Sequence, residues 1–242
     1  MTDGMLWWAA AALCAFFIKG LCGFANTLVF TTILSFDHSN INISPIELIL
    51  GYPTNVILAW KERKEIRWSI CLPLAVLVLA GTIPGMLFLK NADTRLVKLV
   101  FGVVIILIGL EMLFREFRPG KAKESRLVLA IIGVLSGILC GLYGIGALLG
   151  AYVNRVTDSS HAFKGNICVV FLIENTFRII MYTVLGIMTA GVVKQAVLLA
   201  PAMLLGLFLG MLSGRLLNEK LVKKLVIIML ILSGAALFIH NL

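Results

Sequence analysis

Charged side chains are scarce in this chain, where they make up 14% of the 242 residues while hydrophobic residues make up 60%. A soluble domain of this length needs a much larger polar surface, because a small globule cannot bury most of its side chains. The scarcity of charge therefore excludes an ordinary soluble protein. Apolar runs of about 18 residues or more recur along the whole sequence, which is typical of helical membrane spans. The sequence predicts an all-α polytopic membrane protein whose surroundings are a lipid bilayer.

Residues that carry catalysis or bind metals are also few. The three histidines lie in loops or at the chain end, and no His/Asp/Glu cluster shares an apolar face, so neither a metal site nor a catalytic triad is indicated. The glycine patterns of phosphate-binding loops and dinucleotide sites are missing, which argues against ATP hydrolysis. The five cysteines lie within or beside apolar runs, where they are typical of small buried side chains rather than a disulfide framework. We expect a protein that is not an enzyme and holds no cofactor.

Acidic residues number 12 against 21 basic ones, which gives a net charge of +9. The basic residues cluster in short linkers between apolar segments, which is an orientation signal rather than a nucleic-acid footprint. We therefore expect no nucleic-acid partner. The linkers separate eight apolar segments at about 5–33, 45–60, 69–89, 96–114, 127–153, 165–185, 191–214 and 221–240.

The two halves of the chain repeat each other. The repeat predicts a first transmembrane unit at 1–117, a basic cytoplasmic linker at 118–126 and a second unit at 127–242. Its matching positions are Gly20-Leu21-x-Gly23 with Gly141-Leu142-x-Gly144, Gly81-x-x-x-Gly85 with Gly206-x-x-x-Gly210, and Asn55 with Asn175. The G-x-x-x-G pairs predict close helix packing.

The distribution of basic residues distinguishes two topologies. If all eight segments cross the membrane, the linkers carry ten basic residues on one side and nine on the other. If segments 1 and 5 enter and return on the same side, the division is fifteen against four, as the positive-inside rule requires. Segments 1 and 5 are also too long for one straight crossing of a ~30 Å core. A tilted or kinked full span is the alternative for both segments.

We therefore predict two inverted repeats, each with one broken, re-entrant helical hairpin followed by three transmembrane helices. Each break is expected to divide its segment into half-helices of about 12 residues that reach the midplane. The basic linkers would face the cytoplasm and both termini the outside, in an integral plasma (inner) membrane protein.

A helix interrupted inside the membrane must line a protein cavity or water, because its free backbone groups cannot face lipid. The half-helix after each break directs backbone amides and a positive dipole end toward the centre, which favours an anion. The sequence therefore predicts an anion site between the two breaks. Its candidate substrate-binding residues are Lys19, Gly20, Gly23, Asn26, Thr27, Asn55, Gly141, Tyr143, Gly144, Asn175 and Arg178.

Each of these side chains also has a structural interpretation. Arg178 lies inside segment 6, one helical turn after Glu174, so the two can form a structural pair, or Glu174 can orient the arginine or carry a proton for coupling. Lys19 can bind an anion or extend toward water. The two asparagines can bind substrate or tie helices together, Asn26 and Thr27 can cap a helix, and Tyr143 can simply pack.

The order and duplication of these motifs resemble the TauE/SafE family of sulfite and organosulfonate exporters. The stretches that carry the resemblance are GLCGFANTL, GLYGIGALL, GTIPGMLFLKNADTRLVKLVFGVVIILIGL and GLFLGMLSGRLLNEKLVKKLVIIMLILSG, which together extend over nearly the whole chain. The resemblance implies export of a small inorganic or organic sulfur anion, such as sulfite, from the cytoplasm without ATP.

The leading hypothesis is a secondary transporter that works by alternating access at a midplane site, with a homodimer as a candidate assembly. The alternatives are an anion channel, a membrane assembly subunit and an intramembrane enzyme. Saturable flux with counter-transport would separate a carrier from a channel. An intramembrane enzyme needs clustered reactive groups at one depth, and the sequence offers only Glu174 with scattered cysteines.

Overall fold

The structure, a computed structural model, describes residues 2–22, 25–117 and 126–213, with scattered residues between 224 and 239. The described ranges contain nine α-helices, one short 3-10 turn at Arg63–Glu65 and no strand. Gly23 and most of the predicted linker, residues 118–125, lie outside the described residues. The helices are α1 Thr2–Cys22, α2 Asn26–Leu34, α3 Asn40–Lys61, α4 Trp68–Asn91, α5 Thr94–Phe117, α6 Arg126–Tyr143, α7 Ala147–Val156, α8 Ser160–Val184 and α9 Ala190–Ser213.

Five of the predicted segments are single helices, as expected. Helices α3, α4, α5, α8 and α9 contain the predicted apolar segments 45–60, 69–89, 96–114, 165–185 and 191–214 to within one residue and extend several of them. The eighth predicted segment lies mostly outside the described residues, although every residue described between 224 and 239 is helical. Gly102 and Gly109 of α5 lie against this stretch, at Gly234 and Ile231.

The first and fifth predicted segments are each broken into two helices, as the glycine pattern predicts. The first break lies between the end of α1 at Cys22 and the start of α2 at Asn26, and the second lies at residues 144–146, between α6 and α7. The prediction of equal half-helices is wrong, because the pairs are 21 and 9 residues long and 18 and 10 residues long. Gly20 and Gly141 remain helical, since each packs tightly on another helix, and the chain breaks only beyond them.

Glycines hold the two halves of the chain together through reciprocal contacts. Helix α1 packs along α9, and α6 packs along α4. A Cβ atom at Gly81 or Gly85 would overlap the backbone of α6, and a Cβ at Gly206 or Gly210 would overlap the backbone of α1. Contacts this close allow dispersion forces to act between backbones, which is how helices associate in lipid without a hydrophobic driving force. The repeated G-x-x-x-G motifs are therefore packing motifs.

The chain reverses direction at the first break. Trp8, near the start of α1, packs its ring on Phe30 of α2 with the centroids 5.8 Å apart. Its Nε1 donates a hydrogen bond of 3.0 Å to Nε2 of His38, just after α2 ends. Although α1 at 21 residues rises about 31 Å and is long enough for a full crossing, the chain after it returns beside the start of α1. Helices α1 and α2 therefore form a hairpin.

The outer surface of the bundle is apolar. Within the described residues, four stretches are long and apolar enough to cross a membrane, namely Gly4–Leu21, Trp68–Asn91, His161–Val184 and Ala190–Ser213. Large apolar side chains are exposed along α4 and α9, including Leu72, Val76, Leu198 and Phe208. Trp60 and Trp68 are exposed on either side of the basic 61–67 turn, where aromatic residues typically mark the membrane–water interface.

The glycine contacts predict the effect of a single methyl group. We expect Gly81→Ala to lower the free energy of unfolding by about 1–3 kcal/mol, because the new Cβ would overlap the carbonyl of Val134 and force α4 and α6 apart. Gly4→Ala is the control, because nothing lies within 4 Å of its Cβ position. Denaturant or thermal unfolding in detergent measures the stability of both variants. Equal stability of the two variants would contradict the close packing of α4 on α6.

Candidate functional site

The two breaks line one small cavity at the middle of the bundle. It lies beside the midpoints of α3 and α8 and has a volume of about 20 Å³, which is room for about one water molecule. Residues from the first break and the start of α2 line the cavity together with residues of the second break. The lining residues are Lys19, Ala25, Asn26, Thr27, Leu28, Glu47, Gly51, Asn55, Gly144, Ile145, Gly146, Phe171 and Asn175.

Both short helices begin at this cavity without a side-chain cap. Ala25 precedes α2 with a left-handed φ of 73°, and Gly146 precedes α7, and neither residue makes a side-chain capping hydrogen bond. The first-turn amides of a helix have no partner within the helix. Two helix starts with their positive dipole ends thus meet at one point, which is a favourable environment for negative charge.

Gly144 allows the second break to approach the first. Its φ of 73° is left-handed, a conformation that glycine adopts without strain. A Cβ at this position would lie 2.9 Å from Cγ2 of Thr27 and 3.0 Å from Nη2 of Arg178. The two breaks and the guanidinium group therefore meet at Gly144.

Arg178 lies directly behind Gly144 and is only 1% exposed. Its Nη1 donates a hydrogen bond of 2.9 Å to the carbonyl of Cys140 and a longer one of 3.5 Å to Glu174. Its Nε and Nη2 have no hydrogen-bond partner among the described residues, although Nη2 lies 3.8 Å from a carboxylate oxygen of Glu47. A buried guanidinium normally uses its donors, so this one has donors free for a ligand.

Glu47, in the middle of α3, places a buried carboxylate in the cavity. Its Oε1 accepts hydrogen bonds from Nδ2 of Asn26 at 2.5 Å and from Oγ1 of Thr27 at 2.8 Å. Its Oε2 faces Arg178. Both donors belong to the first turn of α2, so the carboxylate of Glu47 holds α2 in place.

Lys19 supplies a second buried cation, from the last turn of α1. It is 2% exposed, and its Nζ donates a hydrogen bond of 2.7 Å to Oδ1 of Asn55. Asn175 lines the same cavity from α8. The repeat-related asparagines thus occupy one cavity, and two cations and two carboxylates, from Lys19, Arg178, Glu47 and Glu174, lie buried in or beside it.

The predicted binding residues are distributed unevenly around this cavity. Those that line it are Lys19, Asn26, Thr27, Asn55, Gly144 and Asn175, while Arg178 and Glu174 lie immediately behind. Gly20 and Gly141 instead lie in the α1–α9 and α4–α6 contacts. The hydroxyl of Tyr143 donates to the carbonyl of Val97 at 3.1 Å, and its ring packs on Phe101, away from the cavity. Gly23 lies outside the described residues.

Sequence reasoning missed Glu47, Gly51 and Phe171, all of which line the cavity. A signal for Glu47 was present, because a carboxylate inside an apolar segment is costly and therefore functional by default. Gly51 admits the Glu47 carboxylate, whose Oε1 would lie 3.1 Å from a Cβ there. Phe171 packs on Gly146 at the second break. Among the described residues, no three His, Cys, Asp or Glu side chains come together in a way that could hold a metal ion.

The contact at Gly144 generates a paired prediction. Gly144 and Gly186 have nearly the same left-handed φ, 73° and 72°, but a Cβ at Gly186 would meet nothing within 4 Å. Alanine should therefore cost about 1–2 kcal/mol of backbone strain at each position, and only Gly144→Ala should also displace Arg178 and Thr27. We expect both alanine variants to have a lower free energy of unfolding. Only Gly144→Ala should also bind the anion more weakly. Normal binding by Gly144→Ala would exclude this contact from the site.

One comparison with known proteins identifies the chain. The family model described as sulfite exporter TauE/SafE matches residues 8–237, which is nearly the whole sequence and includes both breaks and all of the cavity residues. Neither a curated protein nor a solved structure was found that matches the chain. The match confirms the predicted family, and membership implies a membrane transporter of sulfur anions. The chain belongs to the TauE/SafE sulfite exporter family.

Proposed function

We propose that this protein is a secondary transporter that exports sulfite or a related organosulfonate by alternating access at the central cavity. The observation that carries the proposal is the guanidinium of Arg178, which is buried behind Gly144 and has two nitrogen atoms without a hydrogen-bond partner among the described residues. Guanidinium groups bind oxyanions through two parallel N–H bonds. The oxyanion would bind between this fork and the starts of α2 and α7.

The other cavity groups support an oxyanion with a sulfonyl head. Lys19 adds a second positive charge, and Asn55 and Asn175 add amide donors from opposite repeats. Leu28, Ile145 and Phe171 give the cavity an apolar side, which suits the organic group of a sulfonate. Since the cavity holds only about one water molecule, a substrate enters only when the surrounding helices move.

Two features support access from opposite sides of the membrane. Polar residues of α2, its C-cap and α3 form a seam that leads from Glu47 to the far end of the α1–α2 hairpin, namely the half-buried Thr27 and the buried Thr31, Ser35, Asn40 and Ser44. Its ends are tied by the Thr27–Glu47 and Ser35–Asn40 hydrogen bonds. On the opposite side, Nζ of Lys164, near the start of α8, donates to the carbonyl of Leu21 at the end of α1.

The reciprocal α1–α9 and α4–α6 contacts support two inverted repeats that rock about this site. In the orientation that we propose, the basic linkers face the cytoplasm and both termini lie outside the inner membrane. Homodimerisation stays a prediction.

An anion channel is the main alternative, because the same two breaks could line a continuous pore. The buried charges and the small volume of the cavity favour a carrier, which must bind its substrate before it moves. Counterflow separates the two: external sulfite should accelerate release of labelled sulfite from proteoliposomes if the protein is a carrier, and should leave the release rate unchanged if it is a channel. A membrane assembly subunit would show no protein-dependent sulfite flux.

The proposal predicts a specific loss at Arg178. Arg178→Lys keeps a positive charge beside Glu47 and Glu174 but removes the planar fork, so we expect sulfite flux into proteoliposomes to fall roughly tenfold or more with normal protein yield. Lys194→Arg, at an exposed position on α9, is the control and should transport normally. Unchanged flux in Arg178→Lys would remove the guanidinium fork from the binding site.

The hairpin predicts which residues share a side of the membrane. In a cysteine-free background, single cysteines at Gly4 and Asp37, which are exposed at the two ends of the hairpin, should react with an impermeant thiol reagent from outside the cell. A cysteine at Lys64, in the basic turn after α3, should react only after the membrane is opened. Labelling of Gly4 and Asp37 from opposite sides would contradict re-entry.

A further inference from the structure

The carboxylate of Glu47 occupies a place that suits an anion. It accepts two hydrogen bonds from the first turn of α2, whose amides and dipole favour negative charge. Its other oxygen forms an ion pair, at 3.8 Å, with Nη2 of Arg178, which has no hydrogen-bond partner among the described residues. These groups are among those assigned above to the substrate, so the protein's own carboxylate lies where a bound oxyanion would lie.

A substrate anion and an ionised Glu47 compete for the same space and the same donors. The cavity is too small to hold both, and two like charges in contact inside a protein repel each other by several kcal/mol, even at the effective dielectric constant of partly polar sites. An anion that enters while Glu47 is ionised would therefore lie in contact with a second negative charge, which is costly in a buried site.

Protonation of Glu47 removes this conflict. A protonated carboxyl group has no net charge, needs no cationic partner and can itself donate a hydrogen bond. It would free Nη2 of Arg178 and the side chains of Asn26 and Thr27 for the substrate.

The titratable groups around Glu47 come from three neighbouring helices. They are Lys19 of α1, Cys140 of α6, and Glu174, Arg178 and Tyr182 of α8, while α2 contributes only the neutral Asn26 and Thr27. Glu174 is the other carboxylate in this group, but it does not line the cavity and it contacts Nη1 of Arg178 rather than Nη2. Glu47 is therefore the carboxylate that meets the substrate directly.

We propose that Glu47 is an internal substitute for the substrate anion, and that an anion binds only when Glu47 takes up one proton and gives up its bonds to α2. This inference rests on the anion site proposed above. The step is balanced: one proton from solvent adds to a carboxylate oxygen of Glu47, and one anion enters, with no covalent bond formed to it. Since binding equilibria are reciprocal, the proton favours the anion and the anion favours the proton by the same factor.

Calorimetric titration of purified wild-type protein with sulfite tests the coupling. The titration is made at an alkaline pH where free sulfite is the dianion, in buffers with different enthalpies of ionisation, so that the number of protons taken up is measured together with affinity. We expect the wild-type protein to take up about one proton per bound anion and to bind more weakly as the pH rises.

Glu47→Gln copies the protonated, neutral state. We expect it to bind sulfite roughly tenfold more tightly or better at alkaline pH, because the competing charge is gone, and to take up no proton from the buffer. Glu174→Gln is the matched variant, since it removes a buried carboxylate beside the same arginine, and it should keep the proton uptake. Glu65→Gln, at an exposed position, should behave like the wild type.

The outcomes separate this inference from the proposed function. Sulfite binding by the wild type without proton uptake, or proton uptake that persists in Glu47→Gln or disappears in Glu174→Gln, would overturn the role of Glu47 and leave the anion site standing. If Glu47→Gln binds sulfite and the wild type does not, the result would support Glu47 as the internal substitute and would show that its ionised carboxylate prevents binding. If neither the wild type nor Glu47→Gln binds sulfite, both the site and the inference are wrong.

Discussion

A guanidinium buried in the centre of a membrane protein requires negative charge beside it, and the architecture around Arg178 meets that requirement. Glu174 lies one turn away on the same helix and Glu47 faces it from α3. The second break places Gly144 against the planar group, so that the two short helices begin beside it. Because these partners leave two nitrogen atoms without a hydrogen bond among the described residues, the arrangement holds the charge and still leaves hydrogen-bond donors for a ligand.

Close helix packing makes this arrangement possible. Short helices of 9 and 10 residues have little stability by themselves, and they need a firm support inside the bundle. The glycine contacts bring α1 onto α9 and α6 onto α4 at backbone distance. The longer helix of each interrupted segment, α1 or α6, is thereby anchored to the other half of the chain. The cavity between the breaks lies where the two halves meet. Movement of one half relative to the other would act directly on this cavity.

Parts of the site could be predicted from the sequence because they depend on local or duplicated patterns. Paired glycines predict both breaks, and the matching of Asn55 and Asn175 places both in the same cavity. The direction of a side chain depends instead on helix rotation and on neighbours far away in sequence. Tyr143 was therefore assigned to the site although it turns to Val97, and Glu47 was missed although it faces the first turn of α2. The predicted lengths of the half-helices were wrong, because packing on α9 and α4 keeps Gly20 and Gly141 helical.

The central claim is that an oxyanion binds between the two breaks. An experimental structure of the protein with selenite, the selenium analogue of sulfite, tests it most directly, because anomalous scattering from selenium locates the bound ion without ambiguity. The account predicts one strong peak within hydrogen-bonding distance of Arg178 and the first turn of α2, with the carboxyl group of Glu47 displaced. A peak elsewhere in the bundle, with Glu47 still bonded to Asn26 and Thr27, would contradict it.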